Sequence, residues 1–288
     1  MNESSPKSFR PSAENGLTIR QLQPAIGAEV TGIDLSVPLS DVQRNEIRSA
    51  ILRHKVLFFR DQNIDADQQS RFARQFGPLY THPSTERLPS LPAVHKIAAS
   101  DNAKFDVDRQ KYNRNWPAYH TDTSWRLVPT WGAVLRAVDL PPVGGDTIWV
   151  NGTQAYEHLS PELKERLIGL HVTHDYLHAL QRTGHEYPIV AHPIVREHRE
   201  TKDKILWVNF SQNPSIIGLS PDESDAILTE ILHQYQRPEH QVRFSWTEGA
   251  VAFWDNRAAV HYAVRNYGDY PRVLERVLIE DEPLYAGL

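Results

Sequence analysis

Residues 251–280 read VAFWDNRAAVHYAVRNYGDYPRVLERVLIE, and this stretch decides the fold class. It begins and ends with runs of β-branched and aromatic residues, at 251–254 and 273–279, which are typical of buried strands. Similar runs occur upstream at 133–138, 147–150 and 205–208. The sequence therefore predicts a mainly β protein whose strands form a barrel.

Helix signals lie before and between these strands. Ser40 with Gln43, and Asp65 with Gln68, form two capping boxes that predict helices, and Gly77 is expected to end the second one. The pairs Ser160-Pro161 and Ser220-Pro221 predict two further helices, because each places an N-cap residue before a proline at the first helical position. Short strands are expected at 17–21 and 56–59. The strands should thus be flanked by helices.

Composition limits the kinds of partner and metal site. The net charge is -5 and there is no run of Lys and Arg, so we expect no nucleic-acid partner and favour a small molecule. The chain contains no cysteine, which excludes disulfides, thiolate metal sites and cysteine nucleophiles. Any bound metal must therefore use His, Asp or Glu.

Domain and targeting signals are few. Residues 1–16 are polar, and no stretch reaches 18 consecutive apolar residues. We expect a disordered tail at 1–16, a single domain at 17–288, a cytoplasmic location and no membrane partner. A homo-oligomer is also expected.

A His-x-Asp pair, His120 and Asp122, is the first candidate metal site. Side chains two apart on a strand point the same way, so one imidazole and one carboxylate could share a metal. A hydrogen-bonded core pair is the alternative. A second pair of this type, His198 with Glu200, lies in the charged stretch 196–204 and is predicted to be a solvated turn.

His261 supplies a possible third ligand far along the chain, and Arg272 and Arg276 follow it. Two histidines and one carboxylate form the facial triad of non-haem iron oxygenases, which leaves positions for a chelating 2-oxo acid and dioxygen. A distal carboxylate of that acid needs a cation, and the fork of an arginine fits it in a bidentate manner. Alternatively, both arginines could pair with Glu275 or Glu280 on the barrel surface.

Over nearly its whole length the chain resembles the taurine dioxygenase superfamily, which includes alkylsulfatase and 2,4-dichlorophenoxyacetate dioxygenases. The matching stretches are IGAEVTGIDL (26–35), HKVLFFRDQ (54–62), GGDTIW (144–149) and WDNR (254–257). The arginines also fall eleven and fifteen residues after His261. The resemblance implies a double-stranded β-helix, or jelly roll, decorated with helices. It further implies an Fe(II)-dependent dioxygenase that uses 2-oxoglutarate and O2 to hydroxylate a small anionic substrate, a sulfonate, sulfate ester or carboxylate.

The resemblance also assigns roles to individual residues. It makes His120, Asp122 and His261 the iron ligands, which are also the catalytic residues. Thr147 and Arg272 would bind the distal carboxylate of 2-oxoglutarate. The candidate substrate contacts are His82, Thr123 and Arg276. Trp254 is expected near the co-substrate.

Departures from the family pattern bear on the substrate. Trp116, Leu180 and Gln212 stand where the taurine enzyme has an asparagine and two phenylalanines, so taurine is not the expected substrate. The stretch 98–115 is longer than in that enzyme, and the segment between His174 and His192 is shorter, which predicts a more open pocket. Two rival hypotheses stay open: a redox-inert hydrolase with zinc in the same triad, and a non-catalytic 2-oxoglutarate sensor.

Overall fold

The computed structural model describes residues 16–83, 87–88, 90–98, 116–176 and 187–282. Most of the predicted tail, the stretch 99–115 and the segment 177–186 with Leu180 lie outside these ranges. The strands are β1 Thr18–Gln21, β2 Ala28–Thr31, β3 Val56–Phe59, β4 Leu79–Tyr80, β5 Arg87–Leu88, β6 Leu91–Ala98, β7 Gly132–Asp139, β8 Thr147–Asn151, β9 His171–His174, β10 Val190–Pro193, β11 Val195–Glu197, β12 Lys204–Leu206, β13 Gln241–Phe244, β14 Val251–Asp255, β15 Ala259–Ala263 and β16 Val273–Ile279. The helices are α1 Asp41–His54, α2 Ala66–Arg74, α3 Gly152–Glu157, α4 Pro161–Arg166 and α5 Pro221–Gln236, with short 3-10 turns at Phe210–Gln212 and Pro238–His240.

Two sheets carry the architecture. The larger one has the order β1-β2-β3-β14-β7-β16-β6-β5, with β4 paired to the end of β16. Its neighbours run antiparallel except β2 and β3, which are parallel. The smaller sheet has the order β13-β8-β15 and is antiparallel. The predicted mainly β fold with a jelly-roll core is confirmed.

Strand β3 shows how the large sheet separates two cores. Its side chains alternate between the faces, as the pleat of a strand requires. Val56 and Phe58 pack between the two sheets, and the Phe58 ring stacks on that of Phe244 with centroids 4.1 Å apart. Leu57 and Phe59 pack on the opposite side, against helices α1 and α2. Because both faces are covered, this strand is apolar throughout.

The small sheet is covered on its outer face by helix α5. The α5 side chains Ile227, Leu228 and Ile231 pack with Val150 and Val260 of the sheet. Apolar residues three and four apart lie on one face of a helix, so this stripe of α5 can bury itself against the strands. The sheet that carries His261 is thereby fixed from behind.

Most local predictions agree with the structure, and the differences concern boundaries. Both predicted capping boxes are present, and α4 and α5 begin at the predicted prolines. Helix α2 ends at Arg74, three residues before Gly77, although Phe76 still packs on Phe72. The strand expected at 205–208 is Lys204–Leu206. None of the helices within the described ranges is both long and apolar enough to span a membrane.

Histidine 174 is an unusual core residue at the end of β9. It is fully buried, and neither ring nitrogen has a hydrogen-bond partner among the described residues. Its ring lies against those of His192 and Trp207, with centroids 5.1 Å away in both cases. Burial, followed by the charges of His192 and Arg196, holds the pKa of His174 well below its usual range. The ring is therefore neutral in the folded protein.

We expect His174→Leu to weaken the pH dependence of folding stability. Below about pH 6.5 the unfolded chain takes up a proton at His174 and the folded chain does not, so stability falls as the pH drops. Between pH 7.5 and 5.5 this one histidine should contribute about 1.4 kcal/mol of that fall. Urea unfolding of wild type and variant at the two pH values measures the difference. An equal loss of stability in both proteins would contradict the prediction.

Candidate active site

The two distant segments that carry the candidate metal ligands are joined by the backbone. His120 N donates to His261 O at 2.9 Å, and His261 N donates to His120 O at 2.7 Å. Strand β15, which contains His261, is itself paired along its length with β8. This double hydrogen bond brings the two imidazole rings together, with centroids 4.0 Å apart.

Asp122 joins these histidines, although not in the way the sequence predicted. Ligand atoms of His120, Asp122 and His261 all lie within 4.8 Å of one another, and the three form a group that could hold a metal ion. His120 occupies only an isolated bridge, and Asp122 begins a turn. The next residue, Thr123, has a left-handed φ of 54°. A sharp turn, rather than the alternation of a strand, therefore directs the carboxylate to the histidines.

The protonation of these groups suits a divalent cation. His120 Nδ1 lies 2.9 Å from Ala118 O, and since a carbonyl can only accept, this nitrogen carries the proton and Nε2 keeps its lone pair. Burial, then the charges of His120 and Arg276, hold the pKa of His261 well below its usual range. Asp122 Oδ2 is buried and has no hydrogen-bond partner in the described part of the chain. Neutral imidazoles and a carboxylate are ligands that iron accepts.

Arg272 is a buried cation just before strand β16. It is 3% exposed, its Nε donates to Gly145 O at 3.0 Å, and Nη2 is buried with no partner in the ranges described. Burial lowers the pKa of Arg272 from its ordinary value. Two residues after Gly145, Thr147 Oγ1 accepts from Trp246 Nε1 at 3.0 Å. The Thr147 hydroxyl can therefore direct its own proton elsewhere, and an anionic acceptor beside Arg272 would satisfy both groups.

Arg276 faces the interior, four residues after Arg272. Its Nη1 donates to Asp122 Oδ1 at 2.5 Å. The surface alternative fails, because Glu275 pairs with Arg136 and Glu280 with Arg126. Arg276, predicted as a substrate contact, therefore already has a protein partner in Asp122. The Nε of Arg276 remains buried without a partner within the described chain.

Five ring side chains pack into one cluster, and we call Tyr80, His82, Trp125, Tyr176 and Tyr187 the aromatic wall. The Trp125 ring stacks on Tyr176 at 5.8 Å and meets Tyr187 edge-on at 4.9 Å. His82 is buried, lies 5.9 Å from the Trp125 ring and donates its backbone N–H to His95 Nε2 at 2.8 Å.

Strand pairing places the aromatic wall close to Arg276. His95 is the register partner of Arg276 in the large sheet, and Trp125 follows Asp122 by three residues. The wall is therefore tied to Arg276 from two sides, through His95 and through the Asp122 turn. Trp254, expected near the co-substrate, lies with its ring 5.0 Å from that of His261.

Three other predicted residues have well-defined surroundings. Thr123 Oγ1 lies 3.0 Å from Thr130 Oγ1 and accepts from Thr130 N at 2.8 Å, so its hydroxyl supports the turn. Gln212 is buried and accepts from Ser124 Oγ at 3.1 Å. Trp116 packs edge-on against Phe210 at 5.4 Å. Of these residues, Thr123 and Gln212 form hydrogen bonds that involve the turn carrying Asp122.

The prediction of a solvated turn at the second candidate pair, His198 with Glu200, is correct for Glu200, which is exposed, and wrong for His198. The pair does lie in a turn, but His198 is buried and its Nε2 contacts Asp255 Oδ2 at 3.0 Å. Glu200 accepts from Arg48 and Arg257. The charged sequence around these residues concealed the inward direction of the His198 side chain, whose partner Asp255 is distant in the sequence.

Comparison with known proteins agrees with this geometry. The family described as "Taurine catabolism dioxygenase TauD, TfdA family" matches residues 18–278. The chain belongs to this dioxygenase family. An alkylsulfatase of Acinetobacter baylyi is 35% identical over 287 residues, covering 92% of this chain and 86% of the relative. An alpha-ketoglutarate-dependent sulfate ester dioxygenase of Pseudomonas putida is 32% identical, with coverage of 92% and 90%.

A solved structure extends the comparison to three dimensions. The crystal structure of a taurine dioxygenase from Burkholderia xenovorans has a TM-score of 0.80 and 36% sequence identity, and the match covers 93% of this chain and 92% of that one. Alpha-ketoglutarate is another name for 2-oxoglutarate. The predicted family, the oxidoreductase class and the cofactor set of Fe(II), 2-oxoglutarate and O2 are confirmed.

We expect Gly145→Ala to weaken 2-oxoglutarate binding through Arg272. Gly145 has a φ of 74°, and an added Cβ would lie 2.9 Å from Arg272 Nε, so the guanidinium must shift. Disturbing the proposed charge-assisted contact between Arg272 and 2-oxoglutarate should raise the dissociation constant of 2-oxoglutarate about tenfold. Anaerobic titration with Fe(II) present measures this constant. Gly169→Ala is the matched control, because Gly169 has a φ of 76° and its Cβ would meet nothing within 4 Å. Equal affinities in the two variants would disprove the role of Gly145.

Proposed function

We propose that this chain uses His120, Asp122 and His261 to hold Fe(II), and Thr147 with Arg272 to hold the distal carboxylate of 2-oxoglutarate. The observation that carries the proposal is the convergence of the three ligands beside Asp122 Oδ2, a buried carboxylate oxygen without a protein partner within the described chain. Removing such an oxygen from water is costly unless a cation or donor compensates it. A divalent ion at the centre of the three ligands would do so.

A buried polar atom without a partner in the described ranges also supports the assignment of Arg272 to the co-substrate. Arg272 Nη2 is buried and lacks a partner in the described ranges, while its Nε is occupied by Gly145 O. Guanidinium and carboxylate groups match in charge and planar geometry, and the low exposure of Arg272 strengthens their attraction. The Thr147 hydroxyl, oriented by Trp246, would donate to the same carboxylate. The chain thus offers the distal carboxylate one charged donor, Arg272, and one neutral donor, Thr147.

On the substrate side, Arg276, His82 and Thr123 are proposed to face a small organic anion. Arg276 supplies the charge, and its position beside Asp122 places the anion next to the metal. The aromatic wall would cover the apolar part of the substrate and exclude water from it. Trp149 and Trp254 pack around His261 and restrict water on the other side.

A sulfate ester is the substrate class that we propose. Two relatives with coverage above 85% of their own length are named an alkylsulfatase and a sulfate ester dioxygenase. The aromatic wall suits an alkyl or aryl group larger than the two-carbon chain of taurine. Iron supplies the oxygen-activating chemistry when it is bound.

The atoms balance for such a substrate. One oxygen atom of O2 converts the C–H bond next to the ester oxygen to C–OH, and the other enters succinate as 2-oxoglutarate releases carbon dioxide. The hydroxylated carbon then breaks its C–O bond to sulfate and becomes an aldehyde. The products are therefore an aldehyde, sulfate, succinate and carbon dioxide.

Other predictions from the sequence are kept as proposals. These are a single domain at 17–288 behind a disordered tail at 1–16, a cytoplasmic location and a homo-oligomeric state. We also propose that no nucleic acid or membrane is a partner, which the net charge of -5 supports. The rival hydrolase and sensor hypotheses both predict no succinate.

The metal assignment predicts the effect of Asp122→Ala, His120→Ala and His261→Ala. Each should abolish substrate-dependent succinate formation and the weak visible band that Fe(II) and 2-oxoglutarate give without oxygen. The fold should persist, because apolar burial between the sheets stabilises it. His240→Ala is the control, since His240 is buried behind α5 and contacts His158. A normal band in Asp122→Ala would refute the assignment.

The substrate assignment predicts a charge preference that depends on Arg276. Wild type should use an alkyl sulfate at least a hundredfold better in kcat/KM than the uncharged methyl ether of the same chain. This corresponds to about 3 kcal/mol for a desolvated charge-assisted pair. Arg276→Ala should lose most of the preference.

The control for the charge preference is Arg136→Ala. Arg136 pairs with Glu275, away from the metal group, so this variant should keep the preference for the anion. Succinate release is the measurement in every case. Equal use of both compounds by wild type would exclude an anionic substrate, and no succinate with any of a panel of sulfates, sulfonates and carboxylates would favour the rival hypotheses.

A further inference from the structure

Asn256 uses its whole side chain to hold the turn that carries Asp122. Its Oδ1 accepts from Asp122 N at 2.8 Å and from Thr121 Oγ1 at 2.9 Å. Its Nδ2 donates to Asp122 O at 2.8 Å and to Thr130 O at 3.0 Å. The residue is 1% exposed. A carboxamide has two donors and two acceptor sites, and each lies within hydrogen-bond distance of a partner, with the single proton of Thr121 Oγ1 shared between Asn256 Oδ1 and Asn256 O at 2.7 Å.

These contacts hold both ends of the Asp122 main chain. Asp122 lies in a turn and is not paired with a strand of the described chain. The Asn256 side chain binds the backbone of Asp122 instead, at both its N–H and its C=O. Those two groups flank the Cα from which the carboxylate projects. The left-handed φ of Thr123 adds strain just after it, which surrounding contacts must offset. The direction of the carboxylate therefore depends on Asn256.

Asn256 is itself rigidly anchored. Its backbone N donates to Trp131 O at 2.8 Å. The preceding residue, Asp255, is fully buried and accepts from His198 Nε2 at 3.0 Å and from Arg257 Nη2 at 2.7 Å. The charge of Arg257 and these hydrogen bonds hold the pKa of Asp255 far below its usual range despite burial. The residue before Asn256 is therefore a buried carboxylate that two hydrogen bonds hold in place.

We propose that Asn256 is a positioning residue for the iron site: it sets the direction of the Asp122 carboxylate and so the affinity and geometry of the metal. This inference rests on the proposed role of Asp122 as an iron ligand. A carboxylate held within a few tenths of an ångström binds a metal better than one that must be ordered on binding. The role differs from general support of the fold, which many buried amides give.

Asn151 provides a matched control for that general support. It is buried like Asn256, and it uses both ends of its amide, because Oδ1 accepts from Thr153 N at 2.9 Å and Gln154 N at 3.3 Å, while Nδ2 donates to Ala25 O at 2.7 Å. None of these partners is a candidate metal ligand. Asn151→Ala therefore removes a comparable set of buried hydrogen bonds away from Asp122.

The experiment compares Asn256→Ala with Asn151→Ala in the full chain. Fe(II) is titrated anaerobically, and binding is followed by quenching of tryptophan fluorescence, since Trp149 and Trp254 lie beside His261. The visible band of the Fe(II) and 2-oxoglutarate complex is then recorded, and thermal unfolding is measured without metal. We expect both variants to lose a similar amount of thermal stability. Only Asn256→Ala should bind Fe(II) at least tenfold more weakly and show a shifted or weakened band.

Asn256→Ser is included in case Asn256→Ala does not fold. It keeps a small polar group and should show the same pattern to a smaller degree. Iron affinity within twofold of wild type and an unchanged band, in whichever Asn256 variant folds, would overturn the proposal. Asp122→Ala is measured in parallel. If that variant binds Fe(II) like wild type, the ligand assignment fails, whereas normal binding by the Asn256 variants alone refutes only the positioning role.

Discussion

The pair of backbone hydrogen bonds between His120 and His261 is the constraint on which the site depends. One residue follows a long connection from the large sheet, and the other lies in the small sheet, whose outer face is sealed by α5. Because the bond is formed by main-chain atoms, it fixes the two rings without using their nitrogens. Both imidazoles therefore stay available as ligands, and the carboxylate needs only a short turn to reach them.

The two arginines of the last strand region are held in different ways, and the difference matches their proposed roles. Arg272 is buried against a neutral carbonyl, and its Nη2 has no hydrogen-bond partner within the described chain. Arg276 already shares its charge with Asp122. A tightly bound dianion such as 2-oxoglutarate fits the first environment. A substrate anion in the second environment would share Arg276 with Asp122.

The sequence was sufficient for the fold class, for both capping boxes and for the grouping of His120, Asp122 and His261, but the grounds for these predictions differ in quality. The capping boxes depend on residues three apart, so local chemistry determines them. His120 and Asp122 were predicted by strand alternation, whereas the structure uses a turn held by Asn256, a residue 134 positions away from Asp122. His198 was misplaced for the same reason, because its partner Asp255 is distant in sequence. Long-range polar partners leave no periodic signal that a sequence pattern could reveal.

The residues on the two sides of the His120, Asp122 and His261 group differ in how firmly the fold holds them. The proposed co-substrate half consists of Thr147 on β8 and Arg272, just before β16, and each forms a hydrogen bond with a neighbouring segment. The proposed substrate half consists of the turn at Thr123 and the aromatic wall, most of which lies outside the strands. Loops change with little cost to a β core, while strand residues cannot move without disturbing their neighbours. Such a division would let the proposed substrate half change while the proposed co-substrate half stays intact.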